Sequence, residues 1–280
     1  MAHLIPRVAA IHDLSGVGRC SLTIALPVLS TMGVQCSPIP TAYLSANTAF
    51  PPSDKAAFLD LTDQMDQTRE HWAELGLTFD AIYSGFLGSA RQIGSVKQLA
   101  TALRREDTLF LVDPVMGDHG APYRTYTPEM CARMGHLAEG ADIITPNFTE
   151  AAILLGEDYK NRPTDPDGVR IWLERLSMDG KRSVVLTGVS FQEGELGASC
   201  LDHRDGSVHF SMAHRENGQF GGTGDLFACV LLGRLLKGDR LSAAMERAVC
   251  FVARCVGHTL ALGTPAREGV QFESLLRELL

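Results

Sequence analysis

The sequence predicts a three-layer αβα fold: a central, mostly parallel sheet with helices on both faces. Three observations predict it. Short β-rich runs alternate with longer helical patterns along the whole chain. The clearest strands are continuous apolar runs, as expected where both faces of a strand are covered. Polar and small residues gather just after the strands, at the rim where open parallel sheets bind ligands.

Residues 8–11 form a first apolar strand, and residues 21–32 a helix with Leu22, Ala25, Leu26 and Leu29 on one face. Residues 34–40 return as a strand. Ser53 is expected to cap a helix running through Phe58, Leu61, Met65, Trp72 and Leu75. Residues 81–83 make a brief strand and residues 89–104 a helix. Residues 108–112 are a buried strand ending in Asp113, and residues 142–145 another, ending at Pro146-Asn147. Residues 156–168, with Pro163, Pro166 and Gly168, are short enough for one loop. Residues 183–186 are an apolar strand closed by Thr187-Gly188. Residues 196–201 and 208–212 pair as late antiparallel strands around Asp205-Gly206. The final third is helical, at 224–236, 241–260 and 272–280. No linker rich in Pro, Gly or Ser divides the chain, so residues 1–280 are expected to form one domain.

The 280 residues are 45% hydrophobic and 21% charged, an ordinary soluble composition. A net charge of −8, with the signs interspersed, argues against nucleic-acid binding. Seven cysteines without a C-x-x-C pair point to reduced thiols, with no disulfide framework and no zinc site. Residues 1–11, broken by Pro6 and Arg7, do not form a signal peptide, and no apolar run reaches the ~18 residues of a membrane span. The expectation is a cytoplasmic protein with neither a nucleic-acid nor a membrane partner.

The chemistry concentrates in Phe220-Gly221-Gly222-Thr223-Gly224-Asp225, directly before an apolar helical pattern. Glycines let the backbone approach a ligand. A helix start presents unpaired N–H groups and the positive end of its dipole, which suits a phosphate. A carboxylate beside such a site makes sense if it takes a proton from a hydroxyl attacking phosphorus. Taken alone, the same stretch is equally a glycine turn with Asp225 as an N-terminal helix charge.

Other strand ends supply company. Asp113 and Asp118 are paired acids in a bent loop. Asn147 and Glu150, spaced i, i+3, share a helix start and would suit Mg²⁺ held through water and phosphate oxygens. They also spell a helix N-cap with its capping box. Gly16-Val17-Gly18 begins a dinucleotide fingerprint, but Ser21 stands where the third glycine belongs and no acid follows the second strand. That weakens a dehydrogenase. The P-loop, the H-E-x-x-H metal motif and the G-x-S-x-G elbow are absent.

Together these segments resemble the pyridoxal kinase branch of the ribokinase-like superfamily over nearly the whole chain. Gly222-Thr223-Gly224-Asp225 is similar to its G-T-G-D motif, and Asn147-Phe148-Thr149-Glu150 to its N-x-x-E motif. Asp113-Pro114-Val115-Met116-Gly117-Asp118 is similar to D-P-V-x-G-D, and Asp142-Ile143-Ile144-Thr145-Pro146-Asn147 to D-I-I-x-P-N. Ser84-Gly85-Phe86-Leu87-Gly88-Ser89 resembles S-G-Y-L-G-S. The resemblance implies phosphorylation of the 5′-hydroxymethyl group of a vitamin B6 vitamer (pyridoxal, pyridoxamine or pyridoxine), with ATP and Mg²⁺. It implies Asp225 as general base and the amides of Gly222, Thr223 and Gly224 as anion hole. Asn147 and Glu150 would organise the metal. Asp113, Asp118, Thr145 and Thr187 would lie on the ATP side, and Asp13, Ser15, Gly16, Thr41 and Phe86 around the substrate. A homodimer is implied, as is a cover over the site at residues 117–127.

Two departures stand out. The family's Q-S-H after the first strand is His12-Asp13-Leu14 here, and Phe86 replaces a common Tyr. Asp13 would pair with a protonated pyridine nitrogen or an amine, or else cap the next helix. The alternatives are a hydroxymethylpyrimidine kinase of thiamine metabolism, with the same chemistry, and a non-catalytic pyridoxal-binding sensor on the same fold.

Overall fold

The computed structural model describes residues 4–123 and 126–280. The first three residues of the N-terminal segment, and Arg124 and Thr125 of the expected cover, lie outside the described residues. The chain opens with β1 (Arg7–Ser15), α1 (Leu22–Thr31), β2 (Gln35–Leu44), β3 (Phe58–Asp60) and α2 (Thr62–Glu74). It continues with β4 (Ala81–Ser84), α3 (Ala90–Leu103), β5 (Leu109–Val112), a small hairpin of β6 (Gly117–Asp118) and β7 (Ala121–Pro122), and α4 (Pro128–Ala138). Then come β8 (Ile143–Ile144), α5 (Phe148–Leu155), α6 (Pro166–Leu176), β9 (Ser183–Val189), β10 (Glu195–Leu201), β11 (Val208–His214), α7 (Thr223–Leu236) and α8 (Leu241–Leu262).

Nine strands form one sheet in the order β11-β10-β9-β8-β5-β4-β1-β2-β3. The run from β9 to β2 is parallel, while β3, β10 and β11 are antiparallel additions at the edges. From β1 the chain steps outward to β2, then returns across β1 to β4. The strand order therefore reverses between β1 and β4, and such a reversal opens a crevice at the carboxyl ends of the two strands.

Side chains alternate across each buried strand and so sort into two cores. Val8 and Ala10 of β1, Ala81 and Tyr83 of β4 and Leu111 of β5 face α1, α7 and α8. Ala9, Ile11, Ile82, Phe110 and Val112 face α2, α3, α4, α5 and α6. Both sheet faces are thus covered, which is why these strands read as unbroken apolar runs.

Some elements differ from expectation. Ser53 caps no helix; its hydroxyl accepts from Lys55 N–H in a turn at 3.2 Å. Residues 58–60 instead pair with the free edge of β2, Leu44 opposite Phe58 and Ala42 opposite Asp60. The helix starts at Thr62, whose N–H donates to Asp60 at 2.8 Å. Within residues 156–168, Pro166 opens α6 and Asp165 caps it, accepting from Gly168 N–H at 2.9 Å. A proline at the first helical position is favourable, so what looked like a loop signal is a helix start. Thr127 and Pro128 begin α4, which was not foreseen, in the same way. Residues 272–280 form a 3₁₀ helix, Glu273–Leu279, rather than an α-helix. Finally, β1 runs past its apolar stretch to Ser15, with a register shift between His12 and Leu14. A bulge of this kind re-aims side chains, and Asp13 sits at it.

Leu231, fully buried on α7, and Leu196, 42% exposed on β10, give a test of this layering. Leu231→Ala is expected to cost about 2–5 kcal/mol in urea unfolding, and Leu196→Ala about 0.5 kcal/mol or less.

Candidate active site

The first turn of α7 organises the rim. Gly222 precedes the helix with φ 81 and ψ 0. A Cβ there would run into the Arg19 carbonyl and sit 2.6 Å from Ile24 Cδ1, so conformation and space both demand glycine. Thr223, Gly224 and Asp225 open the helix, and their amides lack a carbonyl four residues back. Asp225 turns inward. Its Oδ2 accepts the Ser21 N–H at 2.9 Å, and its Oδ1 lies 3.9 Å from Nδ1 of His12. Burial pushes the Asp225 carboxyl up to about 7; the Ser21 N–H opposes this, and the charge of Asp13 adds to it.

The carboxyl end of β1 brings Asp13 alongside. Asp13 accepts the Ser21 hydroxyl on Oδ1 at 2.5 Å and the Ser15 hydroxyl on Oδ2 at 3.1 Å. Burial raises its pKa against these hydrogen bonds. His12, the preceding residue of β1, is fully buried, edge-on to the Tyr83 ring with centroids 4.2 Å apart. Neither ring nitrogen has a hydrogen-bond partner among the described residues, and burial lowers the imidazole to about 3. It is therefore neutral. Gly85 lies against this ring, and a Cβ at that position would collide with Nδ1 of His12.

Across the crevice stand Asp113, after β5, and Glu150, in the first turn of α5. Burial, then the charge of Asp225, raises Asp113 to about 8, against the Thr145 hydroxyl. Burial, then Asp113, holds Glu150 well above the ordinary carboxylate range. Asn147 and Glu150 form a complete capping box: Asn147 Oδ1 accepts from Thr149 N–H at 2.8 Å and Glu150 N–H at 3.1 Å, and Glu150 Oε2 accepts from Asn147 N–H at 2.8 Å. Glu150 Oε1 takes the Met116 N–H at 3.1 Å, and Asn147 Nδ2 donates to the Gly117 carbonyl at 2.9 Å. The box holds the loop after β5 onto α5; two backbone amides occupy the Asn147 Oδ1, while each Glu150 carboxylate oxygen keeps a further lone pair. Thr187 on β9 is bridged to Asn147. Asp118 is apart, half exposed on the β6–β7 hairpin and accepting from His119 N–H at 2.7 Å.

The remaining predicted residues line the β1–β4 side. Thr41 on β2 is fully buried, its hydroxyl without a partner among the described residues and its carbonyl accepting from Gln92 Nε2 at 2.9 Å. Gly16 N–H donates to the Leu44 carbonyl at 2.7 Å. Half-buried Phe86 packs edge-on to Tyr126, with centroids 6.1 Å apart. Sequence reasoning did not single out Ser21 or His12. For Ser21 a signal existed, since it occupies the glycine slot after Gly16-Val17-Gly18.

Three buried acids, Asp13, Asp113 and Glu150, and the half-buried Asp225 thus share one rim, and among the described residues no Lys or Arg pairs with any of them. Burial is the first cause of each upward shift, and a neighbouring acid adds to it at Asp113, Glu150 and Asp225. Such a site favours a proton or a bound cation. Among the described residues no three acidic, His or Cys side chains converge on a metal position; the carboxylates here match Mg²⁺ only in the sense that this ion needs one or two of them, with waters and phosphate oxygens as its other ligands. The opening amides of α7 favour an anion beside them. No helix among the described residues is long and apolar enough to cross a membrane.

A model of the phosphomethylpyrimidine kinase family matches residues 28–269. The crystal structure of pyridoxal kinase from Lactobacillus plantarum superposes with a TM-score of 0.89 and 33% identity, covering 98% of this chain and 96% of that one. A protein of Bacteroides thetaiotaomicron VPI-5482 assigned as a phosphomethylpyrimidine kinase, crystallised with pyridoxal, superposes with a TM-score of 0.92 and 38% identity, covering 98% and 96%. The pyridoxine/pyridoxal/pyridoxamine kinase of Bordetella bronchiseptica is 27% identical over 267 residues, 91% of this chain and 90% of that protein.

A carboxyl whose pKa is raised by folding stabilises the fold most below its unfolded value and loses that contribution as pH rises through its folded value. For Asp225 the window runs from 3.8 to about 7. Asp225→Asn is therefore expected to raise the melting temperature at about pH 8, by roughly 1–3 kcal/mol of stability, the gain fading toward about pH 4. That range is discounted because 16% of the side chain remains exposed. Thermal unfolding across pH checks it; a variant destabilised at alkaline pH would contradict the shift.

Proposed function

Because the chain belongs to the phosphomethylpyrimidine kinase family, we propose that it transfers the γ-phosphoryl group of ATP to the 5′-hydroxymethyl group of a vitamin B6 vitamer, as a pyridoxal kinase does. The observation that carries this is Asp225, a carboxyl near neutrality in the first turn of α7, beside amides that have no helical partner. A base poised near the working pH combines availability with proton affinity. The hydroxymethyl proton passes to Asp225, the oxygen bonds to the γ-phosphorus, and ADP leaves. The amides of Gly222, Thr223 and Gly224 offset the charge developing on the transferring group without reorganising.

Around this centre the other residues bind and orient. Thr145, Thr187, Asp113 and Asp118 take the ATP side. Asn147 and Glu150 would organise Mg²⁺ through water, and that ion would neutralise phosphate charge. Asp13, steadied by Ser15, meets a protonated ring nitrogen or an amine. Thr41 offers its free hydroxyl, Gly16 its backbone, and Phe86 its ring face. The same reading makes the protein cytoplasmic and a homodimer. A second substrate, hydroxymethylpyrimidine, is favoured by the name of the matching family model; it presents the same primary alcohol on a similar ring.

Coupled turnover assays with each vitamer and with hydroxymethylpyrimidine are expected to give the highest kcat/KM on a B6 vitamer and none after chelation of Mg²⁺. Pyridoxal binding without ATP turnover would indicate a sensor instead. Asp225→Asn is expected to lose about 10²–10⁴-fold in kcat while still binding ATP. Near-parental turnover would remove Asp225 as the base. Sedimentation should report twice the chain mass.

A further inference from the structure

Ser21 is a non-glycine residue with φ 51 and ψ −126, a backbone region that turns normally fill with glycine. It is 4% exposed. Its N–H donates to Oδ2 of Asp225 at 2.9 Å and its hydroxyl to Oδ1 of Asp13 at 2.5 Å. Its carbonyl accepts from the N–H groups of Ile24 and Ala25 at 3.1 and 2.9 Å, starting α1. Strain of this kind persists only where the surroundings over-determine it. Here the hydroxyl, the amide and the carbonyl are each held by a different element. The positive φ is the setting at which the amide faces one acid while the side chain faces the other.

We infer that Ser21 is a positioning residue for phosphoryl transfer: its amide holds the base Asp225, and its hydroxyl, tethered to Asp13, keeps that strained amide in place. The inference rests on the assignment of Asp225 as base. One residue then ties the acid that meets the substrate ring to the acid that takes the substrate proton, so the hydroxymethyl group is presented in register with its base. No other residue hydrogen-bonds to both acids among the described residues.

The groups facing Asp225 are His12 and Asp13 from β1, Cys20 before α1, Tyr83 from β4, Asp113 after β5, Tyr123 after β7 and Cys229 on α7. His12 is held neutral, and burial raises the thiols and phenols so that they stay protonated near neutral pH. Of the neighbours, only Asp13 and Asp113 can change the charge around Asp225 in the acid limb of a rate profile. The amide of Ser21 acts on Asp225 directly.

The test compares Ser21→Ala with Ser21→Gly in kcat/KM profiles across about pH 5–9. Alanine loses the tether but keeps the steric cost of positive φ, so the amide relaxes away from Asp225. The acid limb is expected to move up by about half a unit to one unit, with activity recovering at high pH. Glycine loses the tether but adopts positive φ freely, so the amide stays. Its limb is expected to match the parent while KM for the vitamer rises about tenfold through the loosened Asp13. A parental limb in Ser21→Ala overturns the inference, and so does an unchanged KM in Ser21→Gly, which decides the matter even if the alanine variant does not fold. Asp225→Asn separates the two levels. If it retains turnover, the base assignment fails; if it is inactive while Ser21→Ala keeps the parental limb, only the role of Ser21 fails.

Discussion

Like charges at one rim are the constraint on which the rest of this structure depends. Asp13, Asp113, Glu150 and Asp225 come from four different segments; burial raises the proton affinity of each, and a neighbouring acid adds to it, Asp13 at Asp225, Asp225 at Asp113 and Asp113 at Glu150. A fold selected for stability alone would separate them or supply a cation. This one offsets their burial with hydrogen bonds: two hydroxyls on Asp13, one amide on Asp225 and two amides on Glu150. Such bonds favour the ionised form and partly counter desolvation. What they leave uncompensated is the charge that a metal and a phosphate chain can meet.

The sheet makes this possible. Parallel strands place all their carboxyl ends on one side, so the turns after β1, β4, β5, β8 and β9 open toward a common space. The reversal of order between β1 and β4 opens the crevice there. The helices α5 and α7 both start at this rim, presenting N–H groups where negative charge must be held. The capping box of α5 and the glycine start of α7 are two solutions to one problem, the unpaired amides of a first turn. In α5 the side chains of Asn147 and Glu150 satisfy those amides. In α7 Gly222 leaves them available.

Much of this was legible in the chain. Apolar runs marked the buried strands because both sheet faces are covered. The G-T-G-D, N-x-x-E and D-P-V-x-G-D segments marked the rim because each combines a turn with an acid. Other signals misled. Pro166 reads as part of a loop and is a helix start, since a proline at the first helical position costs no hydrogen bond. Phe58 fits a helical spacing, yet pairs with Leu44 on the open edge of β2, a partner that no local pattern reveals.

By itself, then, the sequence determined the layer architecture, the strand ends that carry polar residues and the acids that gather there, because periodicity and turn chemistry are local properties. Only the tertiary structure decided how those acids affect one another. The proximity of Asp113 to Glu150 and to Asp225, the burial of a neutral His12 beneath Gly85, and the bond from Ser21 to residues 8 earlier and 204 later depend on distances across the sheet. Proton affinity follows from such distances and from burial. Neither is a property of a residue's neighbours in the chain.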